Sequence, residues 1–144
     1  MRAPAAVRLE KLQKILERIC LESTSGSLII VEGQKDLNSL RAMGITGHVR
    51  CLQNSRKNVT MFVETLEETK HVLVLTDFDR EGVSLAKKLS RSLTAHGVNA
   101  NLVLWKSLRE LTRSEVRSIE ELPEYQDRLQ NLTQRTRQRS FDMT

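Results

Sequence analysis

The sequence predicts an α/β fold: a four-stranded, mainly parallel sheet with helices on both of its faces. Short apolar runs bounded by polar residues, which are typical of buried strands, alternate with segments of helical periodicity across residues 27–112. This alternation favours parallel strands joined by right-handed helical crossovers. With 144 residues, of which 39% are hydrophobic, the chain is long enough for one domain with a buried core.

An amphipathic helix and four strand–helix units are expected in chain order. Each predicted helix places apolar residues at helical spacing on one face, and each predicted strand is a short apolar run. The predicted helices cover residues 7–21, 35–43, 59–66 and 83–96. The predicted strands cover residues 28–31, 48–52, 72–75 and 100–105.

The chain divides into three predicted segments. These are an N-terminal helix and linker (1–26), the α/β domain (27–112) and a helical extension (113–144). In the extension, Pro123 is expected to open a last helix that ends near Leu132. Four arginines and no acid occur from residue 128 to residue 140. This end is therefore expected to fray unless an anionic partner orders it.

Composition limits the partners and the compartment. The net charge of +5 and the pI of about 9.6 suit an anionic partner, whereas the 3% aromatic content argues against base stacking. No apolar run approaches the roughly 20 residues that a membrane span needs, so no membrane association is expected. Cys20 and Cys51 are far apart and form no CxxC motif. We expect reduced thiols in a cytoplasmic protein.

Three acids follow the third predicted strand, in the string HVLVLTDFDREG. Asp77, Asp79 and Glu81 lie where the carboxyl end of the strand meets the next helix, which is the usual ligand crevice of an open α/β sheet. Carboxylates this close repel one another unless a cation or a proton neutralises them. A hard divalent cation, Mg²⁺ above all, is the simplest explanation, because it prefers oxygen ligands.

A fourth acid follows the first predicted strand. Glu32 precedes Gly33 and is placed on the same edge of a parallel sheet as the three acids. Its role is either a further metal ligand or the group that exchanges a proton with the attacking or leaving oxygen. Asp36, one helical turn farther on, either joins the site or caps the helix.

Together, VEGQKD and LTDFDREG resemble the Toprim domain of type IA and type II topoisomerases, bacterial-type primases, the ribonucleases that mature 5S ribosomal RNA and small stand-alone proteins. The resemblance covers residues 27–105 and is greatest to the stand-alone proteins. It implies a Rossmann-like sheet and catalytic roles for Glu32, Asp77 and Asp79, with Glu32 as the general acid/base. It also implies Mg²⁺, or Mn²⁺, held by Glu32, Asp77, Asp79 and Glu81.

This sequence differs from those of the larger family members in ways that exclude some of their functions. Strand passage needs a nucleophilic tyrosine on a separate domain, whereas Tyr125 lies in a predicted amphipathic helix. The zinc module and polymerase core of a primase are not evident either. A haloacid-dehalogenase-type phosphatase is disfavoured because its DxD motif follows the first strand. We expect a Mg²⁺-dependent phosphodiesterase or endonuclease acting on structured RNA or DNA, with RNA favoured. The alternative is a non-catalytic nucleic-acid-binding or ribonucleoprotein-associated adaptor that keeps a metal site.

Cations near the acids are expected to neutralise phosphates and to steer the substrate. The N-terminal helix is expected to pack against its own domain, and a contact surface for a protein partner or a homodimer is the alternative. The predicted phosphate-contacting residues are Lys35, Arg80, Lys87, Lys88 and Arg91.

Overall fold

The computed structural model describes residues 2–66, 68–113 and 115–143. The strands are β1 (Leu28–Val31), β2 (Val49–Cys51), β3 (His71–Val74) and β4 (Asn99–Asn101). The helices are α1 (Ala5–Thr24), α2 (Gln34–Ala42), α3 (Val59–Glu64), α4 (Arg80–Ala95), α5 (Val103–Thr112) and α6 (Leu122–Asp142). The strands form one parallel sheet in the order β2-β1-β3-β4, which confirms the predicted fold class.

The two central strands bring the acidic motifs together. In the register of β1 and β3, Ile30 pairs with Val74, so the two strands end side by side. Glu32 follows β1 directly, and Asp77 follows β3 after Leu75 and Thr76. Because parallel strands share one direction, both acids emerge at the same carboxyl edge of the sheet.

Helix α1 packs against the chain's own core. Leu12, Leu16 and Ile19 are buried on one face of the helix, and that face contacts α5 and α6. The spacing of these residues by three or four positions explains both the helix and the side that it buries. Throughout the described ranges, no helix combines the length and the apolar character needed to cross a membrane.

The predicted fourth strand is wrong in extent. β4 ends at Asn101, and Val103 begins α5 after its N–H donates to Asn101 Oδ1 at 2.9 Å. A short apolar run fits a buried strand and a buried helix equally well, and here helical spacing applies because Trp105 and Leu108 are buried while Val103 is exposed. Trp105 is therefore a core residue that lies on a helix and not on a strand.

The last helix is longer than expected. α6 continues to Asp142, well beyond the predicted end near Leu132, and Pro123 lies in its first turn as predicted. Its buried residues Leu122, Tyr125, Leu129 and Thr133 recur at helical spacing and attach this helix to the core. The described residues after Thr133 are all exposed, so the predicted frayed segment is a helix with solvent around it.

Candidate functional site

Glu32 and Asp77 meet at the carboxyl edge of the sheet. Glu32 is only 6% exposed, and its Oε2 accepts the backbone N–H of Asp77 at 2.7 Å. This bond joins the ends of the two central strands and fixes the orientation of the glutamate. The two motifs that the sequence placed on one edge are thus in direct contact.

Asp36 completes a cluster of three carboxylates. It lies in the first turn of α2, where its Oδ2 accepts the N–H of Gly33 at 3.1 Å. Of the two roles left open by the sequence, Asp36 therefore fulfils both: it caps the helix and it lies beside the other acids, because its charge acts on Asp77. We refer to Glu32, Asp36 and Asp77 as the acid cluster.

The C-terminal extension closes the acid cluster from the far side. Asp77 Oδ1 accepts the N–H of Ile119 at 3.2 Å, and Asp36 Oδ1 accepts the N–H of Glu120 at 3.2 Å. Both donors belong to the 3₁₀ turn Ile119–Glu121 that leads into α6. Unpaired N–H groups at the start of a helix carry partial positive charge, so this contact stabilises the two carboxylates.

The protonation of Asp77 reflects the crowding. Burial, followed by the charges of Asp36 and Glu32, raises the pKa of Asp77 from 3.8 to about 8. Burial also raises the pKa of Asp36, while the hydrogen bonds from Gly33 and Glu120 act in the opposite direction. The cluster thus retains a proton where a cation would otherwise balance its charge.

The side chains of Asp79 and Glu81 contact groups outside the acid cluster. Asp79 is the N-cap residue of α4, and its Oδ1 accepts the N–H of Gly82 at 2.8 Å. The side chain of Glu81 is 68% exposed and lies 3.8 Å from the guanidinium of Arg56. The structure therefore does not gather the four predicted metal ligands into one group, although Asp79 has a second oxygen free of this capping bond.

Gly82 allows a close approach between α4 and the acidic loop. A Cβ at this position would collide with the backbone carbonyl of Asp77. The missing side chain lets α4 begin directly against the loop that carries Asp77, and Thr76 Oγ1 donates to the Gly82 carbonyl at 2.8 Å. The absence of a side chain at Gly82 therefore helps to position Asp77 at the start of α4.

Arg56 is the residue that sequence reasoning missed. Its guanidinium lies 3.5 Å from Glu32 and 3.8 Å from Glu81, so it connects the buried and the exposed acid. It belongs to the 3₁₀ turn Gln53–Lys57, which follows β2 at the carboxyl edge of the sheet. A cation shortly after a predicted parallel strand was the signal that could have found it.

The expected phosphate-contacting cations lie in different places. Lys35, Lys87, Lys88 and Arg91 are all exposed, and Lys88 and Arg91 line a depression together with Arg56. Arg80 lies at the start of α4 and lines a separate, larger cleft. Tyr125 is 1% exposed and packs in the core, so its hydroxyl is not accessible as a nucleophile.

The oxygen ligands at this site suit Mg²⁺ chemically, but their spatial arrangement does not form a complete metal site. Within residues 2–66, 68–113 and 115–143, no group of three or more His, Cys, Asp or Glu side chains is arranged to hold a metal ion. However, Mg²⁺ in proteins usually keeps several waters and takes only one or two carboxylates, with substrate phosphates completing its shell. Glu32 and Asp77 together meet that smaller requirement.

The sheet order and the two acidic strand ends define the class as an open α/β domain with its site at the carboxyl edge of the sheet. The chain belongs to the Toprim domain family, whose profile matches residues 26–103. It is similar to the UPF0292 protein of Methanosarcina acetivorans, with 33% identity over 127 residues, 88% of this chain and 87% of that protein. It is also similar to that of Thermococcus kodakarensis, with 32% identity over 113 residues, 78% of this chain and 84% of that protein.

A solved structure supports the fold independently. A protein from Aquifex aeolicus superposes with a TM-score of 0.65 at 24% identity, over 76% of this chain and 96% of that one. Membership of the Toprim family indicates a function connected with nucleic acids. The matched region ends at residue 103, so Ile119 and Glu120, which contact the acid cluster, come from outside it.

Proposed function

We propose that this protein is a Mg²⁺-dependent phosphodiesterase that cleaves nucleic acid, with structured RNA favoured over DNA. The observation that carries the proposal is the convergence of Glu32, Asp36 and Asp77 at the carboxyl edge of the sheet. Three crowded carboxylates are costly for a fold to maintain without a ligand that neutralises them. Membership of the Toprim family supports nucleic acid as the substrate class.

Glu32 and Asp77 would hold the metal, and the second oxygen of Asp79 lies on the same loop as Asp77. A bound Mg²⁺ or Mn²⁺ polarises a phosphoryl oxygen and lowers the pKa of a coordinated water. Asp36 is less suited to direct coordination, since both of its oxygens already accept backbone N–H groups. Its charge still contributes to the attraction of a cation.

Glu32 is suited to proton transfer. It is buried, and the N–H of Asp77 holds one oxygen while the other faces Arg56. A carboxyl fixed in this way can take a proton from the attacking oxygen or return it to the leaving one. Arg56 is 45% exposed at the mouth of the site, where its guanidinium would contact a phosphate.

A non-catalytic adaptor is the second candidate, and one observation favours it. The extension places the N–H groups of Ile119 and Glu120 on two of the three carboxylates. These bonds stabilise the charges without a metal and cover one side of the cluster. In that case the protein binds nucleic acid and leaves it intact.

Cleavage of a labelled stem-loop RNA, and of a DNA stem-loop of the same sequence, distinguishes the two functions. Wild type is expected to cut in Mg²⁺ or Mn²⁺ but not in EDTA, and Asp77→Asn and Glu32→Gln should lose at least about 100-fold in rate. Asp127→Asn, on the exposed face of α6, is the control and should cut normally. Binding without cleavage in any metal would reject the enzyme and support the adaptor.

Metal binding has a separate optical readout. Trp105 is the single tryptophan of the chain, and its Nε1–H donates to the carbonyl of Thr76 at 2.7 Å, next to Asp77. Its fluorescence is therefore expected to change when Mg²⁺ is titrated into wild type, and to remain constant in Asp77→Asn. A fluorescence change of equal size in both proteins would show that Mg²⁺ does not bind at Asp77.

A further inference from the structure

A basic cleft opens beside the acid cluster. It has a volume of about 1020 Å³ and lies between the start of α4, the helix α5 and the segment after α5. Five cationic side chains line it against two acidic ones, Asp79 and Glu110. The five, which we call the cleft cations, are Arg80, Lys106, Arg109, Arg113 and Arg117.

The cleft cations are available for an external anion. Within the part of the chain that the structure describes, none of them forms an ion pair with a carboxylate, whereas Arg2, Arg8 and Arg128 all pair with Glu115. Arg109 instead lies over the ring of Trp105, with its guanidinium carbon 5.9 Å from the ring centroid. Five cations that line one cleft without carboxylate partners repel one another, which favours a polyanionic ligand.

Arg113 is held in an unfavourable conformation at this cleft. It ends α5 with a φ of 41°, a value that favours glycine. An arginine in this position strains the backbone while it adds a guanidinium to the cleft. Strain of this kind persists where the surrounding structure enforces it and often marks functional sites.

Backbone contacts fix the cleft to the acidic loop. The N–H of Phe78 donates to the carbonyl of Arg117 at 2.8 Å, and Trp105 donates to the carbonyl of Thr76. The residues on both sides of Asp77 are thus bonded to the two walls that carry the cleft cations. A ligand in the cleft lies against Asp79 and Arg80, which follow Asp77 within three positions.

The size and the chemistry of the lining identify the ligand class. Small-molecule sites are mostly apolar and fill about 300–1,000 Å³, whereas this cleft is at the upper limit and is lined mainly by charge. A second depression of about 450 Å³ shares Glu110 and Arg113 with it and adds Lys11 and Lys14. Continuous cationic surface suits a chain of phosphates. The nearby aromatic rings of Phe78 and Trp105 are buried, so bases have nothing to stack on.

We propose that the cleft cations bind the phosphodiester backbone of a nucleic acid and direct it to the acid cluster. The inference rests on the proposed function and supplies its substrate-binding surface. Four of the five residues lie beyond the matched Toprim region, which ends at residue 103. Helix α5 contributes Lys106 and Arg109, and the extension contributes Arg113 and Arg117. The extension therefore takes part in recognition as well as in closure, and recognition is independent of base sequence.

The test measures binding in EDTA, so that it does not depend on cleavage. Lys106→Ala with Arg117→Ala is compared with Arg18→Ala with Lys70→Ala, two exposed cations outside the cleft. Both double variants remove two positive charges. Against the labelled RNA and DNA stem-loops, the cleft variant should bind more weakly, and its log K against log salt slope should be shallower by about 1.4–1.8. The control should keep the wild-type slope.

Arg113→Gly is a second variant, for which binding and stability are expected to change in different directions. It removes a cleft cation and relieves the positive φ, so binding should weaken while the thermal midpoint stays constant or rises. If binding weakens while the thermal midpoint does not fall, the loss of binding comes from the lost contact and not from unfolding. The comparison of the RNA and DNA arms shows which polymer the cleft prefers.

Failure of this inference differs from failure of the proposed function. If both double variants weaken binding equally, net charge and not the cleft determines affinity, and the inference is overturned. If the cleft variant behaves as expected but no polymer is ever cut, the phosphodiesterase is rejected while the cleft stands. If wild type binds neither stem-loop, both are wrong.

Discussion

At the scale of single residues, Asp77 both shapes the site and destabilises it. Its carboxyl accepts the N–H of Ile119, and its backbone N–H holds Glu32 in place. Its pKa is raised to about 8 because folding buries it and brings it near two other acids. Strongly raised carboxyl pKa values are typical of functional sites, where stability is given up for a particular arrangement of charge.

Metal-free protein should therefore lose stability as the pH rises. Between 3.8 and about 8 the unfolded chain has released the proton of Asp77 while the folded chain retains it, so the free energy of unfolding falls through this window. Above it the curve should level off. Asp77→Asn should remove this slope and raise metal-free stability at high pH by about 1–3 kcal/mol, since an incompletely buried carboxyl is partly screened.

Urea unfolding in EDTA across this pH range measures the effect, with Asp127→Asn as the matched control. Under the proposed function Mg²⁺ would replace the proton of Asp77, so the stabilising effect of added Mg²⁺ should increase with pH in wild type and in the control. A pH profile that is identical in wild type and Asp77→Asn would show that Asp77 does not titrate as described.

Two glycines beside the acids provide a second residue-scale prediction. A Cβ at Gly82 would meet the carbonyl of Asp77, whereas a Cβ at Gly33 would meet nothing within 4 Å. Gly82→Ala should therefore lower the free energy of unfolding by about 1–3 kcal/mol through overpacking. Gly33→Ala, at the N-cap of α2, should cost less than about 1 kcal/mol. Denaturant titration of both variants tests the difference, and equal losses would contradict it.

At the scale of secondary-structure elements, the strands that end in acids were predictable and the fourth strand was not. Residues 28–31 and 72–75 are apolar runs followed within two residues by a carboxylate, and both signals are local. Residues 100–105 are apolar except for Asn101, but burial of Trp105 and Leu108 on one face places the second half of the run, from Val103, in helix α5. Periodicity cannot distinguish the two over so few residues.

Helix α5 supports the acidic loop through one hydrogen bond, which gives an element-scale prediction. Trp105→Phe removes the donor to the Thr76 carbonyl and leaves that buried group unpaired. Stability should fall by about 1–3 kcal/mol, and cleavage should fall with it because Asp77 follows Thr76. Val103→Ala, exposed on the same helix, should change stability by less than about 0.5 kcal/mol. Urea titration of the two variants measures the free energy of unfolding. Equal losses would show that the hydrogen bond from Trp105 does not stabilise the acidic loop.

At the scale of the whole molecule, the extension is part of the same core as the sheet. Val116, Ile119, Leu122, Tyr125 and Leu129 are buried together with residues of α1 and of the sheet. The extension also supplies the N–H groups that contact the acids. A deletion that begins too early therefore tests folding and not the basic tail.

Two truncations separate these effects. Deletion after Thr133 removes only exposed described residues, including three arginines, so stability should change by less than about 1 kcal/mol. Deletion after Arg128 also removes the buried residues Leu129 and Thr133 and should cost about 2–5 kcal/mol. If the tail binds nucleic acid, the first truncation should bind more weakly with a shallower salt dependence. Thermal melts measure the stability of the two truncations, and salt titrations measure their nucleic-acid binding. Unchanged binding in the first truncation would show that the tail does not contact nucleic acid.

The sequence by itself determined the α/β order and the placement of Glu32 and Asp77 on one edge. Both follow from local patterns, and the parallel sheet then requires the two strand ends to coincide. Only the tertiary structure decided that Asp36 enters the cluster and Glu81 leaves it. The donors to Asp77 and Asp36 come from backbone N–H groups 42 and 84 residues away. Every residue except proline carries that group, so its long-range use has no signature in the sequence.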